Sequence, residues 1–130
     1  MSAERALSGN GLLALYVALA GIDQALATAR TPADVTAAAL AGGDRLATEA
    51  VEMFCAMLGT FAANLALTLG AQGGIYIAGG IVPRLGNYFT TSPFRARFEA
   101  KGRFSRYLST IPTWVVRHKA PAFVGLANLR

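Results

Sequence analysis

The sequence predicts an α/β fold in which helices pack on a small sheet. Residues 73–83 form an apolar segment with a glycine pair at each end and a proline after it, which is typical of a strand that turns into a helix. A second run rich in aromatic and β-branched residues, 111–117, predicts another strand. Most of the remaining chain has helical periodicity, and strands separated by helices indicate α/β layers.

Length and composition indicate one ordinary domain. The chain has 130 residues, of which 54% are hydrophobic and 15% charged, so it can bury a core and does not belong to the disordered class. Cys55 is the one cysteine, so no disulfide can form within the chain. Because it lies in the most apolar helical segment, we predict a buried thiol in a reducing cytoplasm.

The charge is unevenly placed along the chain. Residues 1–83 carry three basic and six acidic side chains, a net charge of −3, whereas residues 84–130 carry nine basic side chains against Glu99, a net charge of +8. A basic half of this size predicts an anionic partner, either a nucleotide or a nucleic acid.

The uncharged run between Glu52 and Arg84 is long enough to cross a bilayer. However, glycine, threonine, asparagine and glutamine interrupt it, its second half predicts a strand, and the flank before it is acidic. We therefore predict no contact with a membrane, and no signal peptide follows Met1.

The starts and ends of the first helices are predicted from turn-forming and capping residues. Residues 8–11 predict a turn, and the short apolar helix after it is expected to end near Gly21. Thr31, Pro32 and Asp34 predict a capped helix start, and that helix is expected to stop at residues 42–43. Ser8 and Thr31 are accordingly interpreted as caps rather than nucleophiles.

The long helix is predicted from about residue 44 to residue 69, with Gly70 as its end. We expect it to be buried on most sides and to pack against a sheet, with small residues around Gly59 allowing close approach. Its acidic residues Asp44, Glu49 and Glu52 are expected to face solvent. The apolar residues predicted to share one face are Leu46, Ala50, Phe54, Met57, Phe61, Leu65 and Leu69.

After the first strand, Pro83 is predicted to start a helix and residues 92–93 another, which should end at Gly102. A further turn is expected at residues 104–108, and Pro121 opens a last helix. Because two strands make a small sheet, we expect the chain to be part of a larger domain.

Gly79 and Gly80 are the candidate ligand-contacting residues. They follow the first strand at its carboxyl end, where ligands of open α/β sheets bind, and a backbone without Cβ atoms allows close approach. The alternative is a tight strand-to-helix turn that needs a positive φ, and the spacing leaves both open.

Other reactive residues favour structural roles. His118 has no acidic residue after it in sequence, which indicates a surface histidine, and Cys55 has no basic neighbour to activate its thiol. The basic region, defined as residues 95–106, has interleaved aromatic residues and could bind single-stranded nucleic acid. The spacing of four between Phe94 and Phe98 instead favours helices whose aromatic side chains face the core.

A series of short motifs then resembles the bacterial glucokinase family. The series runs in order over nearly the whole chain, which makes it more specific than an isolated Ala-Gly-Gly. The motifs are Ser2-Ala3-Glu4-Arg5, Leu7-Ser8-Gly9, Gly11-Leu12, Asn64-Leu65-Ala66-Leu67, Ile77-Ala78-Gly79-Gly80-Ile81-Val82-Pro83-Arg84, Phe94-Arg95-Ala96, Phe98-Glu99, Lys101-Gly102-Arg103-Phe104 and Ile111-Pro112.

The resemblance implies a hexokinase/actin-like (ribonuclease H-like) fold, in which two α/β lobes close over a cleft. It implies ATP-dependent phosphorylation of D-glucose at its 6-hydroxyl in glycolysis, with Mg²⁺, in a cytoplasmic protein that is usually a homodimer. Residues 1–130 would be the C-terminal portion of the large lobe, with Gly79 and Gly80 against the adenosine of ATP.

The family's Asp-x-Gly-Gly-Thr phosphate turn, its catalytic aspartate and its Glu-x-Gly-His sugar segment have no counterpart among the 130 residues. We therefore predict no catalytic residue and no metal ligand here, and no activity of this chain alone. An alternative is a non-catalytic interaction module, or a nucleic-acid-binding module that uses the basic region. An undersized sheet would also leave apolar surface for association with a partner.

Overall fold

The computed structural model describes residues 2–118 and 120–129. Within them the chain forms nine α-helices and one two-stranded sheet, so the predicted α/β class is confirmed, with helices predominating. The helices are α1 (Ala3–Ala6), α2 (Gly9–Ile22), α3 (Pro32–Ala41), α4 (Arg45–Leu69), α5 (Val82–Leu85), α6 (Tyr88–Thr91), α7 (Phe94–Glu99), α8 (Ser105–Ser109) and α9 (Pro121–Ala127). The strands are β1 (Ile75–Ile77) and β2 (Thr113–Val115), and a 3₁₀ turn spans Gly102–Phe104.

The two strands pair in parallel, with Tyr76 opposite Trp114. The backbone N–H of Ile75 donates to the carbonyl of Pro112 at 2.9 Å, and that of Val116 donates to the carbonyl of Ile77 at the same distance. Side chains alternate across a strand, so one face buries Ile77 while the other exposes Tyr76 and Trp114. One face of this small sheet is therefore open.

The long helix α4 is the centre of the packing, but its main neighbours are α7, α3 and α2. The expectation that it packs chiefly against a sheet is wrong. The first half of the predicted apolar face is correct, because Leu46, Ala50 and Phe54 are buried.

The second half of that face is wrong. Phe61, Leu65 and Leu69 are exposed, because α7 crosses α4 on its small-residue side instead. A Cβ on Gly59 would lie 2.2 Å from the carbonyl oxygen of Phe94, so glycine permits this close approach. The small residues that are buried there are Gly59, Ala62, Ala63 and Ala66.

The helix α4 also has the length and hydropathy of a membrane span. In this structure 44% of its most apolar window is buried inside the protein. A core helix meets the same criteria of length and composition, and α4 is packed as one.

Capping explains where the N-terminal helices begin. The Ser8 hydroxyl accepts from the backbone N–H of Gly11 at 3.2 Å, so Ser8 is a cap as predicted, but the predicted turn at residues 8–11 is mostly the first turn of α2. Thr31 and Asp34 form the predicted capping box of α3, and Gly42 ends that helix in the left-handed conformation.

The segment after β1 follows its prediction in part, because the helix predicted from Pro83 is divided into α5 and α6, and the second strand is shorter than residues 111–117. Pro83 lies in the first turn of α5, and Pro121 begins α9. Helix α7 ends at Glu99 rather than at Gly102, which instead adopts a φ of +53° and begins the 3₁₀ turn. Ala100, with a φ of −74° and a ψ of 69°, has already left the helical conformation.

Candidate functional site

Gly79 and Gly80 lie where the sequence predicts them, between the carboxyl end of β1 and the start of α5. Gly79 has a φ of +132°, which L side chains rarely adopt, so the turn itself requires glycine there. A Cβ built on either glycine would meet no atom within 4 Å. The pair therefore combines a tight turn with a backbone that is open to a neighbouring molecule.

The open space beside these glycines is a cavity of about 480 Å³. That volume lies within the range of small-molecule sites. Four parts of the chain form its walls, namely the start of α2, the start of α3, the middle of α4 and the β1–α5 turn. The residues that line it are Leu7, Ser8, Gly9, Thr31, Pro32, Ala33, Phe54, Leu58, Ile77, Ala78, Gly79, Gly80, Ile81, Val82 and Arg84.

The cavity combines apolar walls with a positive electrostatic character. Phe54, Leu58 and Ile77 give it surfaces on which a flat ring can pack. The N-termini of α2 and α3 both lie at its margin; that of α2 carries the positive end of a helix dipole, whereas the Asp34 carboxylate offsets the dipole at the start of α3. Among the described residues that line it, Arg84 is charged and none is acidic.

The start of α3 is held by the Asp34 carboxylate. It accepts from the backbone N–H of Arg30 at 3.0 Å and from that of Thr31 at 2.8 Å. These bonds, with the one between the Thr31 side chain and Asp34, lower the pKa of the Asp34 carboxyl, and the Arg30 backbone contributes most. The ionised carboxylate therefore fixes the backbone of this cavity wall at neutral pH.

The other reactive residues lie outside the cavity. His118 is exposed, and its Nδ1 accepts from the backbone N–H of Ala120 at 3.1 Å. Cys55 is fully buried, and this burial raises the pKa of its thiol to about 11. The interpretations of His118 as a surface residue and of Cys55 as a core thiol are both confirmed.

The basic region is built as an amphipathic segment. Phe94 and Phe98 are buried, so they offer no exposed rings for stacking on bases. Arg95 donates to the carbonyls of Ser109 and Ile111 at 3.0 and 2.9 Å and to the carboxylate of Glu99 at 2.6 Å. It therefore holds the end of α8 rather than a free anion, and these contacts favour a structural role for this arginine.

No group of three or more histidine, cysteine, aspartate or glutamate side chains is placed to hold a metal among residues 2–118 and 120–129. Of the acids at the start of α4, Asp44 caps the helix and Glu49 pairs with Arg45. The described residues thus do not fit a Mg²⁺ site of their own.

Sequence reasoning identified the glycine pair but missed the rest of the cavity. Ser8, Gly9 and Thr31 are brought to Gly79 from segments 48 to 71 residues away in the chain. Their local patterns predict helix starts, which is correct, but no local pattern predicts that two helix starts meet at one strand end. The Leu7-Ser8-Gly9 motif was the available clue, because it belongs to the series that resembles the glucokinases.

Comparisons with known proteins agree on one family. The sequence profile described as "Glucokinase" matches residues 1–130. The chain is 55% identical to a glucokinase of Paramagnetospirillum magneticum and 56% identical to one of Nitrobacter hamburgensis, over 129 residues in each case. Each match covers 99% of this chain and 40% of the relative, so the chain spans about two fifths of the length of these relatives.

The fold agrees with a solved structure. A crystal structure of a glucokinase from an Antarctic psychrotroph superposes with a TM-score of 0.84 at 34% sequence identity. The superposition covers 95% of this chain and 38% of that protein. Because the family profile matches the chain from end to end, this protein belongs to the glucokinase family.

Proposed function

We propose that this chain forms the adenosine side of the ATP site in an ATP-dependent glucokinase. The proposed reaction is transfer of the γ-phosphoryl group of ATP to the 6-hydroxyl of D-glucose. Residues 1–130 would be the C-terminal portion of the large lobe of a cytoplasmic enzyme. The observation that carries the proposal is the cavity at Gly79 and Gly80, which opens at the carboxyl end of a strand in a chain of this family.

The cavity walls suit a nucleotide. Phe54, Leu58 and Ile77 supply the apolar surface that a purine ring needs. The bare backbone of Gly79 and Gly80 lets a ribose approach without meeting a Cβ. The N-terminus of α2 and Arg84 favour the negative charge of the phosphates.

In this proposal Mg²⁺ accompanies the bound ATP rather than being held by these residues. A magnesium ion would neutralise charge on the transferring phosphates. The chain's own residues would bind the adenosine, exclude water from it and orient the phosphates toward the remaining parts of the site.

The glycine pair gives a direct test. Gly80 has no positive φ and open space at its Cβ position, so Gly80→Val fills the cavity without straining the backbone. Gly73→Val is the matched control, because Gly73 has the same properties but does not line the cavity. We expect the first change to weaken ADP binding at least about ten-fold, which corresponds to about 1.4 kcal/mol, and the control to leave it unchanged, as measured by calorimetry. Equal affinities in all three proteins would contradict the proposed site.

Whether the 130-residue chain catalyses phosphoryl transfer by itself is a separate question. Phosphoryl transfer needs a nucleophile, a metal and a phosphate cradle held together, and these are expected in the three fifths of the relatives' length that the chain does not span. We therefore expect the purified 130-residue chain to form no glucose 6-phosphate from ATP and glucose in a coupled assay. Product formation proportional to the amount of chain would contradict this part of the proposal.

A further inference from the structure

Arg84 lacks the ion pairs that Arg45 and Arg95 make. Arg45 pairs with Asp23 and Glu49, and Arg95 pairs with Glu99. No carboxylate of the described residues lies within ion-pairing distance of the Arg84 guanidinium, and its side chain donates no hydrogen bond to any of them.

Although the guanidinium is free, the backbone of Arg84 is held in place by its neighbours. Its neighbours Val82 and Leu85 are buried in the core, and the backbone N–H of Arg84 donates to the carbonyl of Ile81 at 3.0 Å. A side chain that is anchored at its base and exposed at its tip can reach a ligand at low cost in backbone order.

Arg84 is also the charged residue among those that line the cavity at Gly79 and Gly80. A guanidinium can contact a nucleotide in two ways, by bidentate hydrogen bonds to a phosphate or by stacking on the base. The apolar walls at Phe54, Leu58 and Ile77 already provide surfaces for a base, whereas no other charged group of the lining can meet a phosphate.

We propose that Arg84 contacts a phosphate of the bound nucleotide and so makes this cavity select nucleotides over nucleosides. This inference rests on the proposed nucleotide site and adds to it the residue that recognises the phosphates. The ligand class is a nucleoside di- or triphosphate, and adenosine alone would lack the contact.

The test compares ADP with adenosine in the 130-residue chain by calorimetry. The substitution is Arg84→Gln, and Arg106→Gln is the matched control, because Arg106 is exposed, makes no ion pair with the described residues and does not line the cavity. Hydrogen bonds to charged groups predict that Arg84→Gln weakens ADP binding about ten-fold or more and changes adenosine binding less than about two-fold. The control is expected to change neither affinity, and thermal unfolding checks that both variants fold.

Each other outcome overturns the inference in a distinct way. An equal loss of ADP and adenosine affinity would mean that Arg84 meets the base or the ribose instead. If Arg84→Gln binds ADP with unchanged affinity, the cavity binds the nucleotide but Arg84 does not contact it. A wild-type chain that binds neither compound would overturn the nucleotide site and this inference together.

Discussion

At the scale of single residues, the hydroxyl of Tyr16 joins three parts of the chain. It donates to the Asp44 carboxylate at 3.0 Å, accepts from the backbone N–H of Thr28 at 3.2 Å and lies 3.1 Å from the Thr28 hydroxyl. Asp44 at the same time accepts from the backbone N–H of Ala47 as the cap of α4. The expectation that Asp44 lies on a solvated face is therefore wrong, because its carboxylate is half-buried and accepts from the hydroxyl of the buried Tyr16.

Replacing Tyr16 with phenylalanine tests this network. Removing the hydroxyl leaves the N–H of Thr28 and one oxygen of Asp44 without this partner, so we expect a loss of about 1–2 kcal/mol in the free energy of unfolding. Urea denaturation followed by circular dichroism measures the change. Tyr76→Phe is the control, since Tyr76 is exposed and its hydroxyl makes no hydrogen bond to the described residues. A loss of similar size in both variants would contradict the role of the network.

At the level of the elements, local chemistry predicted both ends of α3 and the end of α4. The capping box at Thr31 and Asp34 and the left-handed Gly42 and Gly70 are all present, because a cap depends on residues within one turn of the chain. The packing face of α4 could not be predicted in the same way. Beyond Phe54 the periodicity allowed either a large-residue or a small-residue stripe, and only the position of α7 decides between them.

The contact between α4 and α7 gives an element-scale prediction. Gly59→Ala would place a Cβ 2.2 Å from the Phe94 carbonyl oxygen, which is backbone and cannot move aside without shifting α7. Overpacking of this kind costs about 1–3 kcal/mol, so we expect a marked fall in the melting temperature. Gly21→Ala in α2 meets nothing within 4 Å and is expected to be neutral or slightly stabilising. A Gly59→Ala protein as stable as the wild type would contradict the close approach of the two helices.

The candidate site shows the same division between local and long-range information. Gly79, Gly80 and Pro83 were predictable because a strand, a glycine pair and a helix start follow each other directly in sequence. The walls contributed by Ser8 and Thr31 were not, because their approach to the glycines depends on how α2 and α3 pack on α4.

In the molecule as a whole, many large apolar side chains are exposed to solvent. Tyr76 is 69% exposed and Trp114 is 53% exposed, and the parallel register places them side by side on the same face of the sheet. In the described part of the chain, β1 has β2 as its one partner strand. Open sheet edges and contiguous apolar surface favour association.

We therefore expect the 130-residue chain to self-associate as its concentration rises. Light scattering after size exclusion would measure the mass, and Tyr76→Lys combined with Trp114→Lys should lower it toward that of one chain. Leu26→Lys is a suitable control, because Leu26 is exposed on a loop outside the sheet. A wild-type chain that stays monomeric throughout would contradict this prediction, and so would association that the sheet variant does not reduce.

The central claim, that the cavity at Gly79 and Gly80 is the adenosine side of an ATP site, is tested most directly by mapping ADP onto the chain. Titration of the ¹⁵N-labelled chain with ADP should shift the backbone amide resonances of the cavity wall, at residues 77–84 excluding Pro83, residues 7–9, Thr31 and Ala33. It should leave the amide resonances of residues 102–109, which do not line the cavity, in place. Shifts confined to that second segment, or no shifts at any ADP concentration up to the millimolar range typical of weak binding, would contradict the claim.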